Sequence, residues 1–514
     1  MASDLIPPLP ESGPLGWLRW VDERPEHPAL LAVQDQRTIA ATSWADLARQ
    51  VAVCAEGLWL SGFRPGDRWV HTLGNSPAGV VAMLASFSVG VVEVPLDPAL
   101  SSVEQQRLTE RVGGRRIPGY ESLASGSFAL SAHATALPSV SAVVERLRNG
   151  PAQSEVDRSA APALILFTSG SLGTPKPVTL SLGNLSSNAA AKLAAVPQTV
   201  ADVRLVLLPI WHAYARTCDL GTWLLSGCSL GIGLGWESWQ RLAPLLRPTL
   251  INTVPSLAMR LLGEPHATPS WNRLRLIGCG GAALSTEAFE RFRRRGVVVI
   301  QGYGLTEASP VICSATPENS RAGHVGRPVD GWETRIDPEG HLSVRGPGVM
   351  LGYWNQQSHR AETPTSGWLE TGDLVQVDAT DGQFRIIGRA DDRITLSNGK
   401  KVDPGPIERR VLSIAGIRHA VLVGRDRHVV LWIDFDSQRT CVEELSERIA
   451  TCLADLPSWQ RPRAIHPMPQ PLADIPEALT AKGTIIRERV LALINEADRH
   501  RPVASDRSDF ESVH

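Results

Sequence analysis

The sequence predicts an α/β protein with largely parallel sheets and more than one domain or subdomain, and two observations carry this prediction. Helix-like segments such as residues 43–61 alternate with short β-branched runs, for example at residues 203–208, 274–277 and 297–300. Alternation of this kind is typical of parallel strands joined by crossover helices. A chain of 514 residues is also longer than one compact core accommodates, so the sequence predicts several domains or subdomains.

The longest uncharged stretch, residues 69–92, divides into three elements. Its end signals predict a strand, a helix over 78–88 capped at Asn75 or Ser76, and a second strand over 91–94. The interruptions by polar residues, proline and glycine argue against a membrane-spanning helix. We therefore expect no transmembrane segment here.

The pattern changes twice in the second half of the chain. Residues 333–389 contain short alternating strands with turns at 338–340, 346–348 and 381–382, which predicts a small antiparallel sheet or barrel. Residues 391–498 combine helix and strand patterns in a compact α+β arrangement.

The predicted organisation is an N-terminal domain over residues 1–388 and a small C-terminal domain over residues 389–498. The last segment, residues 499–514, is polar and lacks periodicity, so it is predicted to be a disordered tail.

Composition narrows the function classes. A net charge of -2 gives no broad electrostatic surface for nucleic acid, and none is expected as a partner. The seven cysteines are scattered without a C-x-x-C pair, which fits reduced thiols rather than a disulfide framework or zinc site. The first residues do not resemble a signal peptide. The expected location is cytoplasmic.

A loop of small residues directly follows the apolar run 163–166. It contains Thr168, Ser169, Gly170, Ser171, Leu172, Gly173, Thr174, Pro175 and Lys176. Glycines allow close backbone approach, hydroxyl and N–H groups donate to phosphate oxygens, and lysine supplies compact positive charge. Only five of the 51 basic residues are lysines, which favours a functional role for Lys176 over that of a solvated loop residue. The loop predicts a polyphosphate site for ATP, although its spacing does not match a Walker-type P-loop.

Three later segments carry further polar groups. Residues 301–307 follow the strand predicted at 297–300, so their side chains would emerge at a sheet's carboxyl edge, where α/β proteins bind ligands. Asp373 follows a glycine turn and could grip a ribose diol, whereas the simpler reading is a turn residue. Arg389 lies beside a short acidic run, and its simpler reading is a surface salt bridge.

In this order and spacing, these segments resemble those of the AMP-binding, adenylate-forming superfamily, in particular its acyl-CoA synthetase and fatty-acid ligase branch. The resemblance extends from about residue 44 to about residue 489. It implies a large N-terminal domain of two α/β subdomains plus a small barrel-like sheet. It also implies a small mobile α+β C-terminal domain.

The resemblance implies roles for residues at matching positions of the N-terminal domain. The loop residues Thr168, Ser169, Gly170, Ser171, Gly173, Thr174 and Lys176 would close over the β and γ phosphates of ATP. Gly302, Tyr303 and Gly304 would face the nucleotide, with Tyr303 stacked near the adenine. Thr306 would contact the α-phosphate, and Glu307 would hold Mg²⁺.

Other matching positions concern the ribose and the hinge. Asp373 and Arg389 would bind the ribose hydroxyls. Asp391 matches the hinge about which the C-terminal domain of the family turns.

Two further residues complete the candidate site. His212 lies in a segment that resembles the acyl side of the family's site, and the alternative is a core histidine bonded to backbone. The catalytic lysine of the C-terminal domain has two possible registers. Anchoring on Thr480 selects Lys482, whereas anchoring on Gly483 and Arg487 selects Thr484. We favour Lys482 because it supplies the charge that the chemistry needs.

The predicted reaction is ATP- and Mg²⁺-dependent activation of a carboxylic acid to an acyl-adenylate, followed by transfer to coenzyme A. A medium- or long-chain fatty acid is the favoured substrate. One alternative acceptor is the phosphopantetheine thiol of an acyl carrier protein. An alternative of a different class is a non-catalytic nucleotide- or acyl-binding protein on the same fold. Peripheral membrane contact stays open.

Overall fold

The structure is a computed structural model. It describes residues 16–33, 38–117, 159–168, 175–266, 268–358, 360–362, 367–438, 440–475, 478–479 and 485–499. In these ranges, no helix has the length and apolar character needed to cross a membrane.

A nine-stranded sheet is the largest element of the fold. Its strands are β1 Pro28–Val33, β2 Ile39–Ser43, β7 Val203–Val206, β8 Ser229–Ile232, β9 Leu250–Thr253, β10 Leu276–Cys279, β11 Val298–Gly304, β12 Val311–Ser314 and β13 Arg327–Pro328. Their order is β13-β12-β11-β10-β9-β7-β8-β1-β2. The pairs from β11 through β10, β9, β7 and β8 to β1 are parallel, and the outer pairs are antiparallel.

A six-stranded sheet carries the start and end of the small-residue loop. Its strands are β3 Arg68–His71, β4 Val92–Pro95, β5 Pro162–Thr168, β6 Lys176–Ser181, β16 Gly352–Asn355 and β17 Arg360–Glu362, in the order β17-β16-β6-β5-β4-β3. β3, β4 and β5 are parallel, while β6 returns antiparallel to β5.

The helices connect these strands and cover the sheets. They are α1 Leu18–Glu23, α2 Trp44–Leu60, α3 Pro77–Val89, α4 Ser102–Arg111, α5 Leu182–Ala195, α6 Ala213–Ala215, α7 Thr222–Ser226, α8 Gly235–Leu246, α9 Pro255–Leu262, α10 Thr286–Arg294, α11 Pro404–Leu412, α12 Val442–Cys452 and α13 Arg487–Arg499. A π-helix, Arg216–Gly221, follows α6.

Helix α3 forms for the local reasons that the sequence provides. Ser76 accepts a hydrogen bond from the Gly79 N–H as the N-cap, and Pro77 occupies the first turn. Gly90 ends the helix with a φ of 71°, a left-handed conformation that glycine adopts without strain. The predicted succession of strand, capped helix and strand is therefore confirmed.

The small sheet predicted over residues 333–389 is only partly as expected. A four-stranded sheet of β14 Glu333–Ile336, β15 His341–Arg345, β18 Leu369–Val377 and β19 Phe384–Arg389 has the order β14-β15-β18-β19. However, β16 pairs with β6 in the six-stranded sheet, Tyr353 lying opposite Val178. The turn at 346–348 therefore leads the chain out of the small sheet, which local alternation alone does not reveal.

The chain divides into two compact units. The first comprises the described residues up to Thr371 together with Val375–Ile386, and the second comprises Gly372–Leu374 together with those from Ile387 onward. The second unit is α+β, with β20 Ile394–Thr395 paired to β21 Lys401–Val402, and a sheet of β22 Ile417–Arg425, β23 His428–Phe435 and β24 Ala464–Pro467. The mixed α/β fold, with a large N-terminal part and a small C-terminal part, is confirmed.

Candidate active site

The start and end of the small-residue loop are held side by side. Thr168 at the end of β5 lies opposite Lys176 at the start of β6, and the Lys176 side chain is exposed. The intervening predicted residues, Ser169, Gly170, Ser171, Gly173 and Thr174, lie outside the described residues. The antiparallel pairing of β5 with β6 therefore fixes the backbone position of Lys176 opposite Thr168.

Lys176 and Glu307 meet at a tyrosine. The Lys176 Nζ lies 5.4 Å from the centroid of the Tyr353 ring. The Tyr353 hydroxyl donates a hydrogen bond of 3.0 Å to Glu307 Oε1. An ammonium group and a carboxylate that are separated by 130 residues of sequence thus converge on one side chain.

The strand β11 delivers residues 302–304 to the sheet edge. Gly302 lies opposite Ser314, and Tyr303 lies opposite Cys313. A Cβ on Gly304 would lie 1.5 Å from the Pro310 carbonyl oxygen, so only glycine fits there. Tyr303 is half-buried and packs against the small cluster that includes Ile312 and Leu342.

Thr306 and Glu307 start a short 3₁₀ turn that backbone and side-chain bonds anchor. The Met350 N–H donates to the Glu307 carbonyl at 2.8 Å. Asn188 on α5 bonds both backbone groups of Val311, at 2.7 and 2.9 Å. Both site residues are half-buried. The position of Glu307 is therefore set by elements on both sides of the turn.

His212 lies at the end of a turn that follows β7. Its N–H donates to the Pro209 carbonyl at 3.1 Å, and its ring is tilted against Trp211 with centroids 6.2 Å apart. The residue is half-buried. The Asn75 side chain bonds the Leu208 carbonyl at 2.8 Å and the Ile210 N–H at 2.9 Å.

A buried polar network lies next to the His212 turn. Asp219 bonds Arg204 at 2.6 Å and Asn252 at 2.7 Å. Burial raises the pKa of Asp219 more than the Arg204 charge and the two hydrogen bonds lower it. The Tyr214 hydroxyl reaches Asn252 Oδ1 at 3.4 Å, and a Cβ on Gly280 would lie 3.0 Å from the Tyr214 ring. Tyr214 thus packs against the glycine-rich segment at the end of β10.

Asp373 and Arg389 contact each other within the second unit. Their closest atoms, Asp373 Oδ1 and Arg389 Nη1, are 3.3 Å apart. Arg389 also covers Gly372, where a Cβ would lie 2.6 Å from Nη2. Asp391 lies 3.6 Å from Arg389, with its side chain 81% exposed. The two predicted ribose ligands are therefore neighbours in space.

Lys482 and its alternative Thr484 both lie outside the described residues. Just beyond them, Arg487 bonds Glu408 at 2.7 Å and the Leu422 carbonyl. The Arg487 guanidinium also lies 3.8 Å from Asp392. The C-terminal segment is thereby tied to the residue after Asp391.

The donor set suits a Mg²⁺–nucleotide complex. Glu307 offers a half-buried carboxylate, and the Lys176 ammonium contacts the same tyrosine as this carboxylate. Mg²⁺ is commonly bound by one or two carboxylates together with substrate phosphates and water. No cluster of three or more His, Cys, Asp or Glu residues that could hold a metal alone occurs in the part of the chain that the structure describes. Glu307 would hold the ion jointly with the nucleotide.

The fold and the comparisons with known proteins define an adenylate-forming enzyme. Residues 17–354 match the family described as AMP-binding enzyme, and residues 391–497 match the AMP-binding enzyme C-terminal domain. The chain belongs to the AMP-binding enzyme family. The resemblance predicted from the motifs is confirmed.

Two curated relatives and one solved structure illustrate the similarity. A feruloyl-CoA synthase of Amycolatopsis sp is 29% identical over 399 residues, covering 75% of this chain and 80% of the relative. A long-chain-fatty-acid–CoA ligase of Mycobacterium tuberculosis is 28% identical over 461 residues, covering 74% of each chain. The O-succinylbenzoate coenzyme A synthetase of Bacillus subtilis, solved with ATP and magnesium ion, has a TM-score of 0.74 at 24% identity. That alignment covers 93% of this chain and 99% of that one.

The sequence did not identify three features of the site. They are Tyr353, the anchoring role of Asn75, and the buried residues that bond the His212 turn. Tyr353 reaches the site because β16 joins the six-stranded sheet, a long-range pairing without a local signal. Glu93 was detectable in principle, since a carboxylate inside an apolar strand requires a buried partner.

Proposed function

We propose that this chain is an AMP-forming acid–CoA ligase. The observation that carries the proposal is the convergence of Lys176 and Glu307 on Tyr353. A cation and a potential Mg²⁺ ligand that both contact Tyr353 suit the triphosphate of ATP, where charge neutralisation dominates the chemistry. These relatives are a CoA synthase and a CoA ligase by name, which supports coenzyme A as the thiol acceptor.

The proposed reaction has two steps. A substrate carboxylate oxygen attacks the α-phosphorus of ATP, the bond to the bridging oxygen breaks, and pyrophosphate leaves with that electron pair. The coenzyme A thiolate then attacks the acyl carbon of the mixed anhydride and expels AMP. Bound Mg²⁺ would neutralise part of the phosphate charge.

Each candidate residue has a proposed task in the first step. Lys176 and the small-residue loop would bind the departing phosphates, Thr306 would donate to the α-phosphate, and Glu307 would orient the metal. Tyr303, between Gly302 and Gly304, would stack on the adenine, and Asp373 with Arg389 would bind the ribose. Lys482 would neutralise charge on the attacked phosphate.

The proposed substrate is an acid with a largely apolar body. His212 would face the carboxylate, and the surrounding turn is lined by apolar residues such as Ile210 and Trp211. By name, one of the two relatives is a synthase for an aromatic acyl-CoA and the other a ligase for long-chain fatty acids. A medium- or long-chain fatty acid or an aryl acid is therefore proposed.

The experiment is carboxylate-dependent pyrophosphate release from ATP and Mg²⁺, with fatty acids of increasing length, aryl acids and amino acids. Each acid is assayed with and without coenzyme A, and the thioester is identified by mass spectrometry. We expect release with one class of hydrophobic acid and a thioester only when coenzyme A is present. Release without any thioester would favour a carrier-protein acceptor. Nucleotide binding without release by any acid would contradict the ligase proposal.

A further inference from the structure

A buried ion pair lies behind the turn that carries His212. The Glu93 carboxylate on β4 receives two hydrogen bonds from the Arg216 guanidinium, at 2.7 and 2.8 Å. His71 on β3 lies 3.1 Å from the same carboxylate. Glu93 is fully buried, and Arg216 and His71 are each 3% exposed. Three polar groups thus form one closed cluster inside the first unit.

Charges at this depth need strong compensation. Burial alone raises the pKa of Glu93, but Arg216 and His71 together bring it below its ordinary value. The Leu73 N–H approaches His71 Nδ1 at 3.4 Å, which leaves Nε2 to donate to Glu93. The carboxylate is therefore ionised and its orientation fixed.

The cluster acts on the site through one backbone carbonyl. Besides pairing with Glu93, Arg216 donates from Nε to the Ile210 carbonyl oxygen. The Ile210 N–H is bonded by Asn75 at 2.9 Å. Both backbone polar groups of Ile210 are thus held by side chains from outside the turn, two residues before His212. Arg216 also donates its own N–H to the His212 carbonyl at 3.3 Å.

We propose that Glu93 and Arg216 are positioning residues that fix the Ile210–His212 turn and so set the geometry for the acid substrate. This inference rests on the proposed function, in which His212 faces the substrate carboxylate. Neither residue touches substrate. Their loss would impair use of the acid and leave the binding of ATP at Lys176 and Glu307 unchanged.

Two sets of variants separate positioning from stability. Glu93→Gln removes the carboxylate and leaves the buried Arg216 charge unpaired, which is strongly destabilising. Arg216→Lys keeps the charge but loses the two parallel hydrogen bonds and the Nε donor to the Ile210 carbonyl. The double variant Glu93→Leu/Arg216→Met replaces the pair by apolar side chains of similar size, a change that is often neutral for stability. However, it cannot restore the donor to the Ile210 carbonyl. Arg275→Met is the control for losing an arginine–carboxylate pair elsewhere, because it breaks the 2.9 Å contact with Asp202 at the amino ends of β7 and β10, away from the His212 turn.

The readouts are the melting temperature, the KM for the acid and for ATP, and kcat. We expect the double variant to melt above Glu93→Gln but below the unaltered protein, because the Ile210 carbonyl and His71 Nε2 lose their partners. Its kcat/KM for the acid should be reduced about tenfold to a hundredfold, since small misplacements of site groups cost this much. The KM for ATP should stay within about twofold. A folded double variant with the same kcat/KM for the acid as the unaltered protein would overturn the proposal.

A second measurement does not require turnover. Hydrogen exchange of peptides that contain Ile210 and His212 should accelerate in the double variant and stay unchanged in Arg275→Met. Unchanged exchange in both variants would contradict the positioning role. If the unaltered protein activates no acid, the proposed function fails, and this exchange result still decides whether the turn depends on the ion pair.

Discussion

At the residue scale, Tyr353 is the feature that most directly couples the two ends of the candidate phosphate site. Burial, together with the charge of Glu307 and the hydrogen bond to it, raises the pKa of Tyr353 well above its usual value. The phenol therefore stays protonated and donates to Glu307 at neutral pH. The ring remains available beside the Lys176 ammonium.

The variant Tyr353→Phe tests this coupling. It keeps the ring beside Lys176 and removes only the donor to Glu307. A hydrogen bond to a charged group contributes about 1.5 kcal/mol, so we expect kcat/KM for ATP to fall roughly tenfold. Steady-state kinetics at several Mg²⁺ concentrations measure this. Tyr353→Leu, which also removes the ring, should be more impaired. Unchanged kinetics in Tyr353→Phe would show that Glu307 needs no such support.

The two registers of the C-terminal lysine predict different variants. If Lys482 acts in adenylation, Lys482→Ala should lower carboxylate-dependent pyrophosphate release about a hundredfold or more. Thioester formation from a supplied acyl-adenylate should be nearly unaffected. Thr484→Ala is the matched control and should retain release. Equal loss of both half-reactions in Lys482→Ala, or a larger loss in Thr484→Ala, would contradict the assignment.

Residue types and spacing were enough to nominate Lys176, Glu307, Asp373 and Arg389 from the sequence. They do not reveal the residues that hold these groups in place. Glu93 and Arg216 are separated by 123 residues and meet only after the strands assemble. Such pairs are determined by tertiary packing, and a single sequence carries no local pattern for them.

At the scale of elements, helix α5 anchors the segment that carries Glu307. Asn184, Asn188 and Lys192 follow each other at four-residue spacing and so share one face of the helix. Asn184 bonds the Pro347 and Val349 carbonyls at 2.7 and 2.9 Å, and Lys192 donates to Ser314 at 2.7 Å. Burial lowers the pKa of Lys192. The same helix also buries Leu185 and Ala189, so this polar face lies beside an apolar one.

Asn188 at the centre of this face gives a prediction on stability. Asn188→Ala leaves the N–H and C=O of Val311 without their side-chain partner in a buried position, at a cost of about 1–3 kcal/mol for each group. We expect a lower free energy of unfolding and a raised KM for ATP, because Val311 follows the Glu307 turn. Urea denaturation and kinetics measure both. Ser187→Ala, on the same helix, should change neither, and an unaltered stability of Asn188→Ala would contradict the anchoring role.

Local signals predicted an element well where a few adjacent residues determine its ends. The cap at Ser76 and the left-handed Gly90 are properties of a few adjacent residues, and the structure has both in place. The path of residues 346–355 was not predictable in this way. The strand β16 pairs with β6, and its partner is decided by packing of the whole sheet.

At the scale of the whole molecule, the division into two compact units is relevant to the two proposed half-reactions. Asp391, the predicted hinge, lies in a turn in which the Asp392 N–H donates to the Arg389 carbonyl at 3.3 Å. Its side chain is largely exposed. The residue is therefore held by few contacts of its own, as a hinge position requires, and Arg389 beside it is a proposed ribose ligand.

The variant Asp391→Pro tests whether this turn serves as a hinge between the half-reactions. Proline fixes φ near −65° and restricts the preceding residue, so the turn could no longer adopt two backbone conformations. If the turn is the hinge, only the second step would need the other conformation, so we expect pyrophosphate release in a single turnover to persist while coenzyme A thioester formation falls at least tenfold. Asp391→Ala, which removes the side chain and keeps the backbone free, should retain both steps. Equal rates of thioester formation in the proline and alanine variants would refute the hinge, whereas loss of both steps in Asp391→Pro alone would assign the turn to adenylation itself.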